Sequence, residues 1–234
     1  YGPARGSSLF RIANDGVSLT DLDVNAGGVV ARGAIALRGR TPSSADLVFE
    51  ARPGAFLAAG TARGVVRLTD GPADAAAFVD VTGRGIRFSA SSYTIRTLNL
   101  QGQGTLSHLP FTLQADVGGT FPVSFDGAGV YSRTDEAQTV TLQGAGRVRE
   151  VAYRTRSPAV LALADGGRVI RVDLAIGGGV LDGSLRQDAD AAVIRASLQG
   201  VDLQSLSRDL AGRISAEVDL SGTARQARTS INGT

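Results

Sequence analysis

From Ile194 to Leu220 the chain keeps a period of two, with apolar and polar side chains taking turns. Ile194, Ala196 and Leu198 alternate with Arg195, Ser197 and Gln199. Beyond Gly212, Ile214, Ala216, Val218 and Leu220 alternate with Arg213, Ser215, Glu217, Asp219 and Ser221. Successive side chains of a strand point to opposite faces, so this spacing dictates strands with one apolar and one polar face. Gly200 breaks the first run. Val201, Leu203 and Leu206 then fall on one side of a short helical turn or kinked strand.

The same theme runs through most of the chain. Asn14-Asp15-Gly16 and Asn25-Ala26-Gly27-Gly28 are turn chemistry, because Asn, Asp and Gly tolerate positive φ. Val29 to Leu37 is a strand with Val29, Ala31, Ile35 and Leu37 on its apolar face. Thr41-Pro42-Ser43-Ser44 and Arg52-Pro53-Gly54 read as loops around a strand at Ala45 to Ala51, and Pro53 to Gly60 as a helical turn. Ala62 to Thr69 is a strand ending at Asp70-Gly71-Pro72. Phe78 to Val81 and Ile86 to Ala90 flank a turn or bulge at Gly83-Arg84-Gly85. Leu98, Leu100 and Leu106 share a face with Gly102 and Gly104. Phe111, Leu113, Ala115 and Val117 form another such face, followed by Phe121, Val123 and Phe125. Val140, Leu142 and Val148 stand with Gly144 and Gly146. After the turn at Asp165-Gly166-Gly167 come Ile170, Val172, Leu174 and Ile176, and Gly177-Gly178-Gly179 bends the chain into Val180 to Gln187. This makes about a dozen strands at a spacing of roughly 10 to 15 residues, the signature of an all-β meander. Glycines on the apolar face leave dents and ease coiling of the sheet.

Composition narrows the chemistry. The 234 residues include 31 Gly and only 5% aromatics, thin for a sandwich with aromatic plugs or for a barrel with aromatic girdles. All 24 basic residues are Arg and the net charge is +2, so the pI of about 9.5 is no nucleic-acid footprint. Cys is absent, which excludes disulfides and thiolate metal sites. With no Lys there is no Walker A loop and no Schiff base. His108 is the single histidine, too few for a two-histidine zinc site, and reads as a loop residue at a strand boundary. Asp21-Leu22-Asp23 and Asp188-Ala189-Asp190 each offer two carboxylates where calcium takes six to eight oxygens. Glu50, Glu136, Glu150 and Glu217 present no acid pair of the glycosidase kind. Arg147, Arg149, Arg154, Arg156, Arg168 and Arg171 form the densest basic stretch, which reads as a solvated strand face or a meeting place for phosphate headgroups. The sequence thus argues against an enzyme and names no cofactor. No apolar stretch reaches the length of a membrane span. The first residue, Tyr1, and the ending Asn232-Gly233-Thr234 suggest a segment of a longer protein, read as one continuous unit over 1–234 with a weak subdivision near 72–77.

Residues 198–224 carry a resemblance. Gly200-Val201-Asp202-Leu203, then Gly212-Arg213-Ile214, then Leu220-Ser221-Gly222-Thr223-Ala224 resemble the recurring pattern of the TamB family within the AsmA-like superfamily, though the proline that often follows is replaced by Ala224-Arg225-Gln226. Gly16 to Gly39 and Tyr93 to Gly119 are looser echoes. The resemblance implies an elongated, curled antiparallel sheet with an open hydrophobic groove, a β-taco, in an inner-membrane-anchored periplasmic protein of Gram-negative bacteria. It implies phospholipid carried towards the outer membrane, outer-membrane protein assembly, and a BamA-like barrel partner met through regions outside this chain. An uncovered trough of this length exposes more apolar surface than a soluble protein leaves bare, so it needs a cover such as acyl chains. The expected lipid-binding face comprises Leu98, Leu100, Leu106, Phe111, Leu113, Phe121, Val123, Phe125, Val140, Leu142, Ile170, Val172, Leu174, Ile176, Ile194, Leu198, Ile214, Val218 and Leu220. Two other readings stand beside it: a chaperone or scaffold that offers sheet edges to outer-membrane strands, and a secreted structural β domain with a closed core.

Overall fold

The alternation does fold as strands. In a computed structural model, residues 4–13, 16–39, 41–70, 74–89, 91–134, 136–164, 166–188, 191–206, 211–223 and 226–233 are described. The protein is all-β and antiparallel, and it divides into two compact units, Tyr1–Pro122 and Val123–Thr234. The division falls after Pro122 and not near 72–77, a stretch flanked by two strands that pair along most of their length.

Unit 1 is a meander of β1 (Ala4–Ala13), β2 (Gly16–Ala26), β3 (Val29–Arg38), β4 (Thr41–Ala51), β5 (Leu57–Thr69), β6 (Ala76–Phe88), β7 (Thr94–Thr105) and β8 (His108–Gly118). Each strand pairs with the next. Unit 2 runs through β9 (Val123–Arg133), β10 (Ala137–Val148), β11 (Val151–Thr155), β12 (Ala159–Ala164), β13 (Gly167–Ile176), β14 (Gly179–Asp188), β15 (Ala191–Asp202), α1 (Leu203–Leu206), β16 (Arg213–Thr223) and β17 (Gln226–Gly233). Here β11 and β12 are two halves of one broken strand, both set between β10 and β13. The break spans Arg156-Ser157-Pro158, where Pro158 has no N–H to give a ladder. The Thr155 hydroxyl repairs the gap, accepting from Gly144 N at 3.0 Å and donating to Gly144 O at 3.2 Å.

Several expectations change. Among the described residues the strands number seventeen rather than about a dozen. Thr41 to Ser44 belong to β4, which takes up their irregularity as a register shift opposite Ala36 and Leu37. Residues 53–60 hold no helical turn: a short loop leads into β5 at Leu57. Its backbone bonds go to the β2–β3 turn instead, with Arg52 N donating to Gly28 O and Phe56 N to Gly27 O. Of the turn or bulge expected at Gly83 to Gly85 the bulge is found: these residues lie within continuous β6, where the register shifts opposite Ala59 and Thr61 and Gly85 takes φ 61°. Residues 14–15, 71–72, 165, 189–190 and 224 of the expected motifs lie outside the described residues.

Gly200 does not end its strand. It makes a bulge inside β15, between Leu198 and Val201, at φ 62° and with its N–H on Ser215 Oγ at 3.1 Å. The same bulge recurs in β2 between Leu19 and Leu22, where Asp21 takes φ 51°. Ser18-Leu19-Thr20-Asp21-Leu22-Asp23 therefore matches Ser197-Leu198-Gln199-Gly200-Val201-Asp202 in conformation as well as in sequence. An extra residue restores the apolar parity, so that Leu22 and Val201 each rejoin the face of the leucine three before. After Asp202 the chain turns through α1, which Asp202 caps by accepting from Gln204 N at 2.9 Å.

Two glycines separate strain from clash. A Cβ on Gly200 would meet open space, whereas one on Gly33 (φ 136°) would run into the Asp46 carbonyl oxygen of β4. Gly200→Ala should cost about 1 kcal/mol from the left-handed backbone alone. Gly33→Ala should cost about 3 kcal/mol once overpacking is added. Equal losses for the two in urea denaturation would contradict this.

Candidate functional site

The register places apolar residues side by side, strand after strand. In unit 1 one row reads Leu22, Gly33, Leu47, Val66, Val79, Gly102 and Phe111 from β2 to β8. The next reads Val24, Ala31, Phe49, Gly64, Val81, Leu100 and Leu113, and a third Ala26, Val29, Ala51, Ala62, Gly83, Leu98 and Ala115. In unit 2 a row runs Tyr131, Val140, Leu161, Ile170, Leu185, Ile194 and Leu220. Others run Val172, Gly183, Ala196 and Val218, and Thr155, Leu174, Leu181, Leu198 and Ala216. Phe125, Gly146, Tyr153 and Ile176 make a further row, Val123 pairs with Val148, and Ile214 faces Val201.

Sixteen of the nineteen residues expected on the apolar face thus lie in these rows, and Leu142, opposite Gly129 and Ala159, is the seventeenth on that face. Leu106 and Phe121 do not. Leu106 sits in the β7–β8 turn, its N–H bound to Ala75 O at 2.8 Å, and Phe121 follows β8 in a connection, half exposed. The tight turn and Gly118-Gly119 end the strands before the alternation in the sequence does. Sequence reasoning missed the contributions of β2, β4, β5 and β6, such as Leu22, Leu47, Val66 and Val79. Short alanine-rich runs and two bulges hid their parity, and only the register restores it.

Among the described residues nothing within either unit covers that unit's rows. Every substantial contact between elements is a ladder neighbour, apart from α1 against β15. Among the described residues the buried hydrophobics are Ala45, Leu57, Ala75, Ala77, Ile86, Val151 and Val201, and no large side chain is fully buried. The chain exposes 15259 Å². Two separate compact globules of about 12 kDa would together expose only about 12,000 Å². A single layer accounts for the excess.

The floor of each face is smoother than its glycines suggest. A Cβ on Gly64 would stand 2.7 Å from the Phe49 ring, and one on Gly127 or Gly144 would stand 2.7 and 2.8 Å from Phe125 Cζ. The phenylalanines therefore lie down over neighbouring glycines and fill the dents, an arrangement that also shields bare backbone. Gly183 receives Val172 in the same way, 3.0 Å from where its Cβ would be. One end of the unit 2 face is closed. Val151 and Val201 are buried there beside Gly177, and Asp202 N donates to Gly177 O at 2.8 Å. Two polar side chains on this face are bonded to backbone, Thr155 to Gly144 and Tyr153 to Ser124. Tyr153 donates its hydroxyl to Ser124 O at 3.0 Å, and burial raises its phenol pKa.

The opposite faces are wet. Asp23 and Arg32 pair at 3.1 Å, Asp46 and Arg67 at 3.3 Å, and Arg195 and Asp219 at 3.5 Å, each directly across a ladder and well exposed. Such pairs contribute little stability but keep the face solvated. Arg147, Arg154 and Arg171 are exposed there as well, while Arg156 bridges to Asp173 at 3.3 Å. Arg168 instead shares the parity of Ile170, at the margin of the apolar face. No group of three or more acidic or histidine side chains that could hold a metal occurs among the described residues. His108 opens β8, its N–H bound to Thr105 Oγ1. The chain matches no family model, no curated protein and no solved structure.

One carboxylate ties this end of unit 1 together. Asp74 accepts from the Ser107 hydroxyl at 2.5 Å and Ser107 N at 2.9 Å, linking the approach to β6 with the β7–β8 turn. The Ser107 hydroxyl first, then that of Thr105 and the Ser107 and Ala75 N–H groups, hold its pKa down to about 2 from 3.8. A depressed carboxylate stabilises the fold fully above its unfolded value and loses that contribution as pH falls towards its folded one. The stability of the protein should therefore decline between about pH 4 and pH 2, and Asp74→Asn should flatten that part of the curve. An unchanged slope in the variant would refute the clamp.

Proposed function

We propose that the apolar faces of the two units bind phospholipid acyl chains, and that the chain is a segment of a periplasmic conduit for phospholipid between inner and outer membranes. The carrying observation is the set of apolar rows, seven residues long across unit 1 and four to seven across unit 2, that no other described element of their own unit covers. Monomeric proteins rarely leave more than a few hundred Å² of contiguous apolar surface bare. Acyl chains are a fitting cover, since burying a 16-carbon tail is worth about 12 kcal/mol. Phe49 and Phe125, lying flat over glycines, leave a low floor along which a tail slides without a specific pocket. No bond is made or broken. The resemblance of residues 198–224 to the TamB family supports the same reading, with anchoring in the inner membrane and a BamA-like partner engaged outside this chain.

A second reading has its own observation. Leu9, Phe10 and Ile12 of β1 are all well exposed, and within unit 1 the described part of β1 pairs with β2. An apolar edge of this kind suits strand addition by an unfolded outer-membrane protein.

Photocrosslinking separates the two. Probes replacing Leu142 and Leu174 should capture phospholipid in cells, and probes at the outward Gln143 and Arg171 should not. Equal lipid yields at all four positions, or capture of polypeptide alone, would overturn the conduit reading.

A further inference from the structure

The two rims of unit 1 differ in kind. On one rim lie the β2–β3 turn, the β4–β5 loop, the β6–β7 loop and the residues after β8, every second connection of the meander and so about 10 Å apart. This rim carries Phe56, Phe88, Tyr93 and Phe121, all between 41% and 52% exposed. They form one line with their neighbours. A Cβ on Gly27 would stand 2.7 Å from the Phe56 ring, Leu57 pairs with Phe88, and a Cβ on Gly119 would stand 2.5 Å from Tyr93 Cδ1. Three of the twelve aromatic residues of the chain are thus spent on connections, where polar residues are the norm, and Phe88 ends β6 beside them.

Charge follows the aromatics. Arg52, Arg84, Arg87 and Arg96 lie at or near the strand ends beside this rim. The acidic groups described there are Asp23, Glu50 and Asp116, and each is held in an ion pair, with Arg32 at 3.1 Å, Arg52 at 2.9 Å and Arg96 at 3.5 Å. Arg84 and Arg87 are exposed beside Phe88. Among the described residues the connections of the opposite rim, at 38–39, 69–70, 74–75 and 106–107, have no aromatic, and Arg38 there faces Asp70 at 2.8 Å. Aromatic rings with arginines between them match the interface of an anionic bilayer, where rings sit at headgroup level and guanidinium groups meet phosphate.

We propose that this rim seats unit 1 on the surface of an anionic phospholipid bilayer, through Phe56, Phe88, Tyr93 and Phe121 as interfacial anchors and Arg84 and Arg87 as headgroup contacts. The contact is peripheral and is independent of what occupies the apolar face.

The chain has no tryptophan, so one introduced Trp reports its own surroundings. Vesicles of phosphatidylcholine with about a third phosphatidylglycerol should sediment the protein, pure phosphatidylcholine vesicles should not, and raised salt should release it. Phe88→Trp should shift to the blue on addition of the anionic vesicles, and His108→Trp on the other rim should not. The double variant Arg84→Gln/Arg87→Gln, both exposed and free of core contacts, should bind roughly 30-fold more weakly. The proposal is overturned by equal sedimentation with neutral vesicles, by no sedimentation, by a blue shift at position 108 in place of 88, or by rim substitutions that dissociate an oligomer in the absence of vesicles. Phospholipid crosslinked at Leu142 and Leu174 is read separately, so loss of either result leaves the other standing.

Discussion

A strand that alternates apolar and polar residues must put all its apolar side chains on one side, and a meander of such strands collects them into one continuous face. Most proteins solve this with a second layer. Here the described residues of neither unit supply one: the rows from Leu22 to Phe111 and from Tyr131 to Leu220 pass across strand after strand without another described element of the same unit on top. The rest of the structure answers to that constraint. The polar face is laced with exposed Arg–Asp pairs that keep it in water, and the apolar face is left for something other than this chain's own described residues.

Regularity of the face depends on where the chain departs from regularity. The bulges at Asp21 and Gly200 insert a residue and so return Leu22 and Val201 to the apolar side. The break at 156–158 is bridged by the Thr155 hydroxyl rather than left as a hole in the ladder. Phe49 and Phe125 cover the glycines beside them, turning what looked like dents into a level surface. A pocket needs a few converging polar groups. A track needs their absence over a long distance, and these rows provide it.

Parity was legible wherever strands were clean. The alternation at Leu98 to Leu100, Phe111 to Leu113, Ile170 to Ile176 and Ile194 to Leu220 assigned each residue to its face without help from the register. It failed at connections. Leu106 and Phe121 carry the right residue type and, for Leu106, the right parity, yet a tight turn and a Gly-Gly pair end the strands first. It also failed where alanines and bulges diluted the signal in β2 to β6, and at Thr41 to Ser44, whose proline and serines suggested a loop but whose backbone is edge-tolerant strand with a register shift. The Asp74 clamp and the aromatic rim were invisible because both join residues far apart in the chain. Sequence spacing cannot show that Asp74 meets Ser107, or that Phe56, Phe88 and Tyr93 line up along one side.

Whether acyl chains are the cover is decided most directly by what the protein carries when it is purified without detergent. Organic extraction followed by mass spectrometry should then recover phospholipid in stoichiometric amount, and Leu100→Arg with Leu142→Arg, which place charge in the middle of each face, should abolish it. Protein that stays monomeric, melts sharply and yields no lipid would contradict the account.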